Sequence, residues 1–257
     1  MTITSHQNEK LKEIRKLRQR RRVRDRASRF VAEGEDLLAA ADAAGWPALA
    51  RFCASGSGLA GVEVDAKLLA SASGLASGTR ALGVYEERWA AAPAGPLCVY
   101  LHGVSDPGNV GTVLRSAQAF GASTVALGPG SADPFSPKAV RASMGAIFHV
   151  PVVKANDVGA LPGTTIALDA RAPCALASIA QALASVPASS ASRAPTATAA
   201  ITLVIGAERT GLPDALLAAA DYVTCIPIAT HSLNAAMAAT IALYEVTRGR
   251  GIRMAPA

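Results

Sequence analysis

The stretch Ser105–Gly121 constrains the fold of this chain more than any other, because a strand passes into a helix there. The apolar segment Cys98–Leu101 has the composition of a buried strand, and the sequence Asp106-Pro107-Gly108 predicts the turn that follows it. The next residues have helical periodicity. The apolar positions on one face of that helix are Val110, Val113, Leu114, Ala117 and Phe120.

Two polar side chains belong to this predicted helix. Asn109 stands at its beginning, and Arg115 lies nearly two turns further along. An amide and a fixed positive charge are therefore expected near the carboxyl end of a strand, where open α/β sheets bind their ligands. The alternative is a solvated arginine on an ordinary amphipathic helix, and this segment alone leaves both interpretations open.

Two later segments also combine a strand with a polar loop. In the first, the β-branched run Ile201–Ile205 ends at Gly206 and leads to Glu208 in a short loop. In the second, a strand is predicted at Cys225–Ile228, followed by a loop and a helix that Ser232 can cap. The chain thus places three polar loops after three apolar strands.

These three segments resemble motifs 1, 2 and 3 of the SpoU (TrmH-like) RNA 2′-O-methyltransferases of the SPOUT superfamily. The resemblance covers roughly residues 97–250, and the segment Pro137–Gly145 is similar to the family as well. It implies an α/β fold with two parts: a C-terminal trefoil-knot domain with a parallel sheet, and a smaller N-terminal α/β domain, similar to a ribosomal protein, that binds substrate. General topology rules would argue against a knot.

The resemblance implies methyl transfer from S-adenosylmethionine to a ribose 2′-hydroxyl of RNA. The family assigns removal of the hydroxyl proton to the motif 1 arginine, here Arg115. Because a guanidinium stays protonated, we expect Arg115 to orient the hydroxyl and to lower its pKa. Glu208 is expected to fix Arg115 or the motif 3 loop, with a simple loop-closing hydrogen bond as the alternative. The positions that match catalytic residues of the family are Asn109, Arg115, Glu208, Ser232 and Asn234.

The resemblance also implies a cofactor pocket formed around motifs 2 and 3. The matching positions are Gly206, Ile226 and Leu233, with Leu168 as a weaker candidate on a separate predicted strand. Gly206 suits this role on physical grounds, since the missing side chain lets a ligand approach the backbone. On pattern alone, Ile226 and Leu233 would be assigned to the core.

Two positions depart from the family pattern. Arg209 stands where a glycine often follows the motif 2 glutamate, and the loop Ala229–His231 is about two residues shorter than usual. The short loop leaves open a non-catalytic RNA-binding or ribosome-assembly factor as an alternative. The extra N-terminal domain with its basic segment favours ribosomal RNA as the substrate, with a tRNA 2′-O-methyltransferase as the other alternative.

Positive charge is concentrated near the N-terminus. Residues 9–29 contain eleven lysines and arginines against three acidic residues, whereas the whole chain has a net charge of only +6. This density predicts a basic arm that contacts phosphate. The alternative is a solvated helix face whose other side is held by Leu11, Ile14 and Leu17. The candidate RNA-contacting residues are Arg15, Arg18, Arg21, Arg22, Lys138 and Arg141.

The composition predicts two domains joined by the linker Ala90–Pro96. An RNA-binding domain is expected over residues 1–92 and a methyltransferase domain over residues 97–252, with a flexible Ala/Ser/Pro-rich insertion at 185–200. The predicted elements of the first domain are a strand and helix from Arg29, strands at Ala50–Cys53, Gly61–Val64 and Leu82–Tyr85, and a helix Ala66–Ala72 capped by Asp65.

The remaining features concern location and assembly. No signal peptide is visible in the sequence. The four cysteines are far apart and are predicted to be buried free thiols, so a cytoplasmic location is expected. The histidines are scattered too, and no metal site is predicted. A homodimer is expected through the alanine-rich helix 232–248, whose small residues could equally face the core of their own domain. These small residues are Ala235, Ala238, Ala239 and Ala242.

Overall fold

The computed structural model describes residues 2–73, 78–184, 200–230 and 232–248. Within these ranges the N-terminal part contains a four-stranded sheet with the order β1-β4-β2-β3. Its elements are α1 (Glu9–Gln19), α2 (Arg21–Ala27), β1 (Arg29–Glu33), α3 (Glu35–Ala43), β2 (Ala50–Ala54), β3 (Val62–Val64), α4 (Ala66–Ser73) and β4 (Ala81–Glu86). The short strands and the helix predicted in this region are confirmed.

The C-terminal part contains a six-stranded sheet with the order β10-β8-β9-β5-β6-β7, in which every neighbouring pair is parallel. Helices connect the strands, as parallel pairing requires. The elements are β5 (Leu97–Leu101), α5 (Pro107–Ala119), β6 (Thr124–Leu127), α6 (Pro137–Ala142), β7 (Val152–Lys154), β8 (Thr164–Leu168), α7 (Leu176–Ala184), β9 (Ile201–Ile205), α8 (Asp214–Ala219), β10 (Tyr222–Thr224) and α9 (Ala235–Thr247). The predicted α/β class with a parallel sheet is confirmed.

Two details near the C-terminus differ from the prediction. The last strand ends at Thr224, and Cys225 forms only an isolated parallel bridge to Ala175. Helix α9 is capped by Asn234 rather than Ser232, because the Asn234 side chain accepts hydrogen bonds from the backbone N–H groups of Ala236 and Met237. An asparagine caps a helix as well as a serine does, so the spacing alone did not identify the cap.

The cysteines are all free, but they are not all buried. Cys53 and Cys98 are buried in strands, whereas Cys174 and Cys225 are partly exposed. The prediction of buried thiols is therefore right for two of the four and wrong for Cys174 and Cys225. The latter pair lies outside the strands, in the segments that follow β8 and β10.

Aromatic side chains join the two sheets into one continuous core. The Phe30 ring of β1 lies 4.9 Å from the Phe135 ring and 6.0 Å from the Phe148 ring, both of the C-terminal part. Trp46 meets Phe148 edge-on at 5.4 Å. Such aromatic contacts stabilise a packed interface beyond the area that they bury.

The basic N-terminal segment is folded onto this body and is not a free arm. Helix α1 buries Leu11, Ile14 and Leu17 against the N-terminal sheet, as the alternative interpretation expected. Arg24 of α2 is itself buried, and its guanidinium donates to Asp133 Oδ2 from Nε at 2.9 Å and from Nη2 at 2.6 Å. Part of the positive charge therefore connects the two parts of the chain.

Several expectations lie outside the described residues or remain predictions. The insertion at 185–200 falls outside them except for Ala200, as do His231 and residues 249–252. The trefoil knot and the domain boundaries stay predictions. No helix in the described ranges is long and apolar enough to cross a membrane.

Replacing Arg24 with methionine should lower the free energy of unfolding by about 3–5 kcal/mol, because the Asp133 carboxylate would stay buried without its cation. Urea unfolding measures this change. The matched control is Arg26→Met, since Arg26 is an exposed arginine of the same helix and forms no ion pair within the described residues. Adding Asp133→Asn to Arg24→Met should restore most of the lost stability. Equal losses in the Arg24 and Arg26 variants would contradict a role for the buried pair.

Candidate active site

The candidate site lies at the carboxyl edge of the six-stranded sheet. Strands β5 and β9 pair in parallel with Leu101 opposite Ile205, so the loops that follow them leave the sheet side by side. The loop after β5 leads to Asn109 on the first turn of α5, and the loop after β9 carries Glu208. The topology therefore brings the predicted motifs 1 and 2 together at one edge.

Asp106 fixes the beginning of α5. Its carboxylate accepts hydrogen bonds from the backbone N–H groups of Gly108 at 2.5 Å and Asn109 at 3.2 Å. Its other oxygen accepts from Lys138 Nζ at 2.8 Å. The hydrogen bond from Lys138, together with these backbone donors, lowers the pKa of Asp106 below its usual value. Lys138, a predicted RNA contact, thus also holds the helix start that presents Asn109.

Asn109, Glu208 and Asn234 form one hydrogen-bonded cluster. Asn109 Nδ2 donates to Glu208 Oε1 at 2.7 Å, and Asn234 Nδ2 donates both to Glu208 Oε1 and, at 3.1 Å, to Asn109 Oδ1. The backbone N–H of Ala235 also donates to Glu208 Oε1, at 3.3 Å. Glu208 therefore contacts the start of α9 and not Arg115. Of the two contacts expected for Glu208, to Arg115 or to motif 3, the structure shows the contact to motif 3.

A cavity of about 370 Å³ opens next to this cluster. All four predicted cofactor residues line it, and they come from four separate segments: Leu168, Gly206, Ile226 and Leu233. Glu208 and Ser232 line it too, whereas Asn109 and Asn234 do not. The two asparagines therefore position the cavity wall through Glu208.

The close packing of the motif 2 loop gives Gly206 a role beside the expected one. A Cβ atom built on Gly206 would lie 2.7 Å from the Gly211 carbonyl oxygen and 2.7 Å from the Leu212 nitrogen. No real Cβ is found so close to backbone atoms. The missing side chain thus lets the motif 2 loop fold back on its own strand, before any ligand is considered.

Arg115 does not line the cavity. It is exposed on the solvent face of α5, whereas the buried Ser116 beside it hydrogen-bonds to Thr240 of α9. Within the described residues its guanidinium forms no hydrogen bond or ion pair. The single chain therefore does not bring Arg115 to the other predicted catalytic residues.

Three charged cavity residues were not assigned to the cofactor pocket from the sequence: Asp169, Arg171 and Arg209. The Asp169 carboxylate accepts from Arg171 Nε at 3.1 Å and from Nη2 at 2.8 Å, and these hydrogen bonds lower the pKa of Asp169. The position of Asp169 directly after β8 was the available signal. Arg209 was noted only as a departure from the family pattern.

The predicted RNA-contacting arginines differ in availability. Arg18 and Arg141 both pair with the buried carboxylate of Glu33, the latter at 3.5 Å, and desolvation raises the pKa of Glu33 in spite of them. Arg15 donates to the His6 carbonyl at 3.2 Å. The two exposed members of the set are Arg21, which lies 3.7 Å from Asp25, and Arg22, which forms no ion pair within the described ranges.

Comparison with known families gives a match over most of the chain. Residues 96–244 match the model of the SpoU rRNA methylase family, and residues 8–87 match that of the MRM3-like substrate-binding domain. The chain belongs to the SpoU rRNA methylase family. The two matches adjoin the predicted linker Ala90–Pro96.

Curated relatives of this SpoU-family chain include two named for 23S rRNA. The chain is 35% identical over 148 residues to the 23S rRNA (guanosine(2553)-2′-O)-methyltransferase RlmP of Bacillus subtilis, covering 56% of this chain and 54% of that protein. It is 34% identical over 160 residues to the 23S rRNA (uridine(2479)-2′-O)-methyltransferase of Streptomyces viridochromogenes, covering 57% and 50%. The aligned region thus spans about half the length of these relatives.

Solved structures match nearly the whole chain. The AdoMet-bound rRNA methyltransferase of Sinorhizobium meliloti aligns with a TM-score of 0.79 and 28% identity, covering 96% of this chain and 97% of that one. The SpoU methyltransferase AviRb of Streptomyces viridochromogenes, in complex with AdoMet, aligns with a TM-score of 0.77 and 26% identity, covering 95% and 98%. Both parts of the fold are therefore shared with SpoU methyltransferases.

Replacing Glu208 with alanine should lower the free energy of unfolding by about 1 kcal/mol, because Asn109 and Asn234 lose their common acceptor at an exposed position. Denaturant unfolding measures the change. The matched control is Arg209→Ala, which alters the next side chain of the same loop without touching the cluster. An Arg209 variant that is destabilised as much as the Glu208 variant would show that the cluster has no special role.

Proposed function

We propose that this SpoU-family chain is an S-adenosylmethionine-dependent RNA methyltransferase that modifies a ribose 2′-hydroxyl of ribosomal RNA. The observation that carries the proposal is the cluster of Asn109, Glu208 and Asn234 beside the candidate cofactor cavity. This cluster joins three motifs that are far apart in sequence. The two neighbouring structures described above contain AdoMet in a fold of the same kind.

The cavity residues fit this cofactor. Its volume falls within the usual range of small-molecule sites, about 300–1,000 Å³. Leu168, Ile226 and Leu233 offer apolar contacts, while Asp169 and Glu208 place carboxylates near a ligand that bears positive charge. S-adenosylmethionine supplies a methyl group that is activated by its bond to a sulfonium, and transfer of this methyl leaves a neutral thioether.

The residues of the chain then have two tasks. The cluster holds the motif 2 and motif 3 loops at fixed positions, which aligns a bound ribose with the cavity. Arg115 orients the ribose hydroxyl and stabilises the negative charge that develops on its oxygen as the proton leaves. Arg115 faces solvent and lies outside the cavity. The conformation of the bound RNA or a second copy of the chain therefore has to bring the ribose hydroxyl and Arg115 together.

Ribosomal RNA is the favoured substrate over tRNA. The two curated relatives described above are named for 23S rRNA, and the N-terminal part matches the model of the MRM3-like substrate-binding domain. The exposed arginines of α2 add positive charge to this part. The intact cluster argues against a non-catalytic assembly factor. A cytoplasmic location fits such a substrate.

A homodimer through α9 is part of the proposal. The small residues Ala235, Ala239 and Ala242 face the core of their own domain, so they do not form the contact face. The exposed face instead presents Met237, Ile241 and Tyr244, which are 60%, 40% and 53% exposed. These residues recur at helical spacing and form an apolar stripe that a second copy would cover.

Light scattering at micromolar concentration should therefore report a dimer. Replacing Ile241 with glutamate should produce monomers, because a charge in the middle of the stripe is costly to bury. The control is Gln118→Glu, which changes an exposed position of α5. A wild-type chain that stays monomeric would contradict the dimer.

Substitutions should separate chemistry from cofactor binding. Arg115→Ala should abolish methyl transfer while leaving the affinity for S-adenosylmethionine nearly unchanged, since Arg115 lies outside the cavity. Arg115→Lys should not restore activity, because an ammonium lacks the planar fork of a guanidinium. Ala238→Phe should instead block cofactor binding, as Ala238 lines the cavity and a phenyl group would fill it.

Single-turnover methyl transfer to ribosomal RNA measures the chemical step, and calorimetry with S-adenosylmethionine measures cofactor binding. Gly206 is unsuitable as a cofactor-blocking site, because a side chain there would distort its own loop. A wild-type single-turnover rate in Arg115→Ala would show that this arginine is not part of the active site.

The exposed basic surface should contribute to RNA affinity. Arg22→Gln should reduce the slope of log affinity against log salt by about 0.9 if Arg22 contacts one phosphate of a duplex. The matched control is Lys67→Gln, which removes one exposed charge outside α1 and α2. Filter binding with ribosomal RNA measures both slopes. An unchanged slope for Arg22→Gln would indicate a solvated charge without a phosphate partner.

A further inference from the structure

A second cavity, of about 430 Å³, opens at the same edge of the parallel sheet. It shares Thr210 and Gly211 with the candidate cofactor cavity, so the two spaces are neighbours along the motif 2 loop. We call it the side groove. Its lining follows three strands: His102 and Gly103 after β5, Pro129 and Gly130 after β6, and Thr210, Gly211 and Pro213 after β9.

Backbone forms much of the wall of the side groove. Gly103 and Gly130 both have left-handed backbone, with φ of +69° and +76°, and a Cβ on Gly130 would lie 3.3 Å from Gly103 Cα. The Gly103 N–H donates to the Pro129 carbonyl at 2.9 Å and ties the two loops together. Glycine at these positions keeps the groove open, and the exposed rings of Pro129 and Pro213 give it apolar surfaces.

One polar side chain faces this apolar surface. His102 is half-buried, and its Nδ1 lies 3.4 Å from the hydroxyl of the buried Tyr100 in a long hydrogen bond. Burial raises the pKa of Tyr100, so its hydroxyl keeps its proton. Because Nδ1 faces Tyr100, Nε2 is the ring nitrogen of His102 that is left to hydrogen-bond with a ligand.

We propose that the side groove holds the nucleobase of the RNA nucleotide whose ribose is methylated. This inference rests on the proposed function. The base would contact the proline rings through its faces and accept a hydrogen bond from His102 through a ring nitrogen or a carbonyl oxygen. Specific RNA recognition commonly uses unstacked bases held in this way. The shared Thr210 and Gly211 would place the ribose between the base and the cofactor cavity.

The charge of the groove favours a base over a phosphate. Its lining residues include no lysine or arginine, and His102 is the one titratable side chain among them. A phosphate would be expected to meet cations or several backbone donors. A flat, weakly polar ligand with an acceptor atom fits this lining better.

Proton NMR of the full chain tests the inference directly. The His102 C2–H resonance is assigned by its loss in His102→Gln. The protein is saturated with S-adenosylhomocysteine, and uridine 5′-monophosphate, guanosine 5′-monophosphate and ribose 5-phosphate are then titrated separately. We expect a saturable shift of the His102 signal with at least one nucleotide, no such shift with ribose 5-phosphate, and no shift of the exposed His149.

Other outcomes overturn the inference. An equal response to ribose 5-phosphate would show that the sugar-phosphate, not the base, is bound, and an unmoved His102 signal would show that the groove is empty. Calorimetry with S-adenosylhomocysteine alone tests the proposed function separately, because the cofactor cavity does not contain His102. Failure of that binding would reject the proposed function, whereas cofactor binding with an unmoved His102 signal would reject only the assignment of the side groove.

Kinetics provide a second measurement. His102→Phe keeps a flat ring but removes the N–H donor, and it should raise the KM for 23S ribosomal RNA about five- to tenfold with kcat little changed. His102→Gln, which restores an N–H donor, should recover part of the loss. His149→Phe is the matched control. A His102→Phe variant with an unchanged KM, or with a loss confined to kcat, would overturn the assignment.

Discussion

The in-register parallel pairing of β5 with β9 determines where the other parts of the candidate site lie. Five consecutive residues of each strand pair, from Leu97 with Ile201 to Leu101 with Ile205, and all ten are buried. A slip of one residue would turn each buried side chain to the opposite face, so the register is strongly fixed. As a result, Asn109 and Glu208, which are 99 positions apart in the chain, meet at 2.7 Å.

The same edge is connected to the N-terminal part through α5 and α6. Gly111 lets these helices pack closely, since a Cβ there would lie 2.7 Å from the Ala142 Cβ. The segment before α6 supplies Asp133 and Phe135, which bind Arg24 and Phe30 of the N-terminal part. The candidate catalytic edge and the basic surface are thus held by one set of packed elements, and motion of one relative to the other would break buried contacts.

Net charge therefore gives an incomplete description of the N-terminal segment. Arg24 neutralises a buried aspartate, and Arg18 contributes to neutralising Glu33, so neither is free to bind phosphate without exposing a buried carboxylate. Asp133 lies 109 positions from Arg24 in the sequence, and Glu33 lies 15 positions from Arg18. The pairing of Arg24 with Asp133 cannot be inferred from a local sequence pattern. By contrast, periodicity predicted the strands β5 and β9 and helix α5, because that signal is local, whereas the four cavity residues followed from the resemblance to the SpoU family. The cap of α9 and the reason for Gly206 depend on hydrogen bonds and close approaches that the sequence does not display.

The position of Arg115 follows from the same helix geometry. Helix α5 must bury Val113, Leu114 and Ala117 against the sheet, and it turns Asn109 and Ser116 toward α9, which leaves Arg115 on the solvent side. A guanidinium without a carboxylate partner is not held in one orientation, and solvent competes for its five donors. If Arg115 acts in methyl transfer, the group that orients it has to arrive with the RNA or with a second copy of the chain. Under this mechanism the hydroxyl is activated only in the assembled complex, and the cofactor cavity can form in the single chain without it.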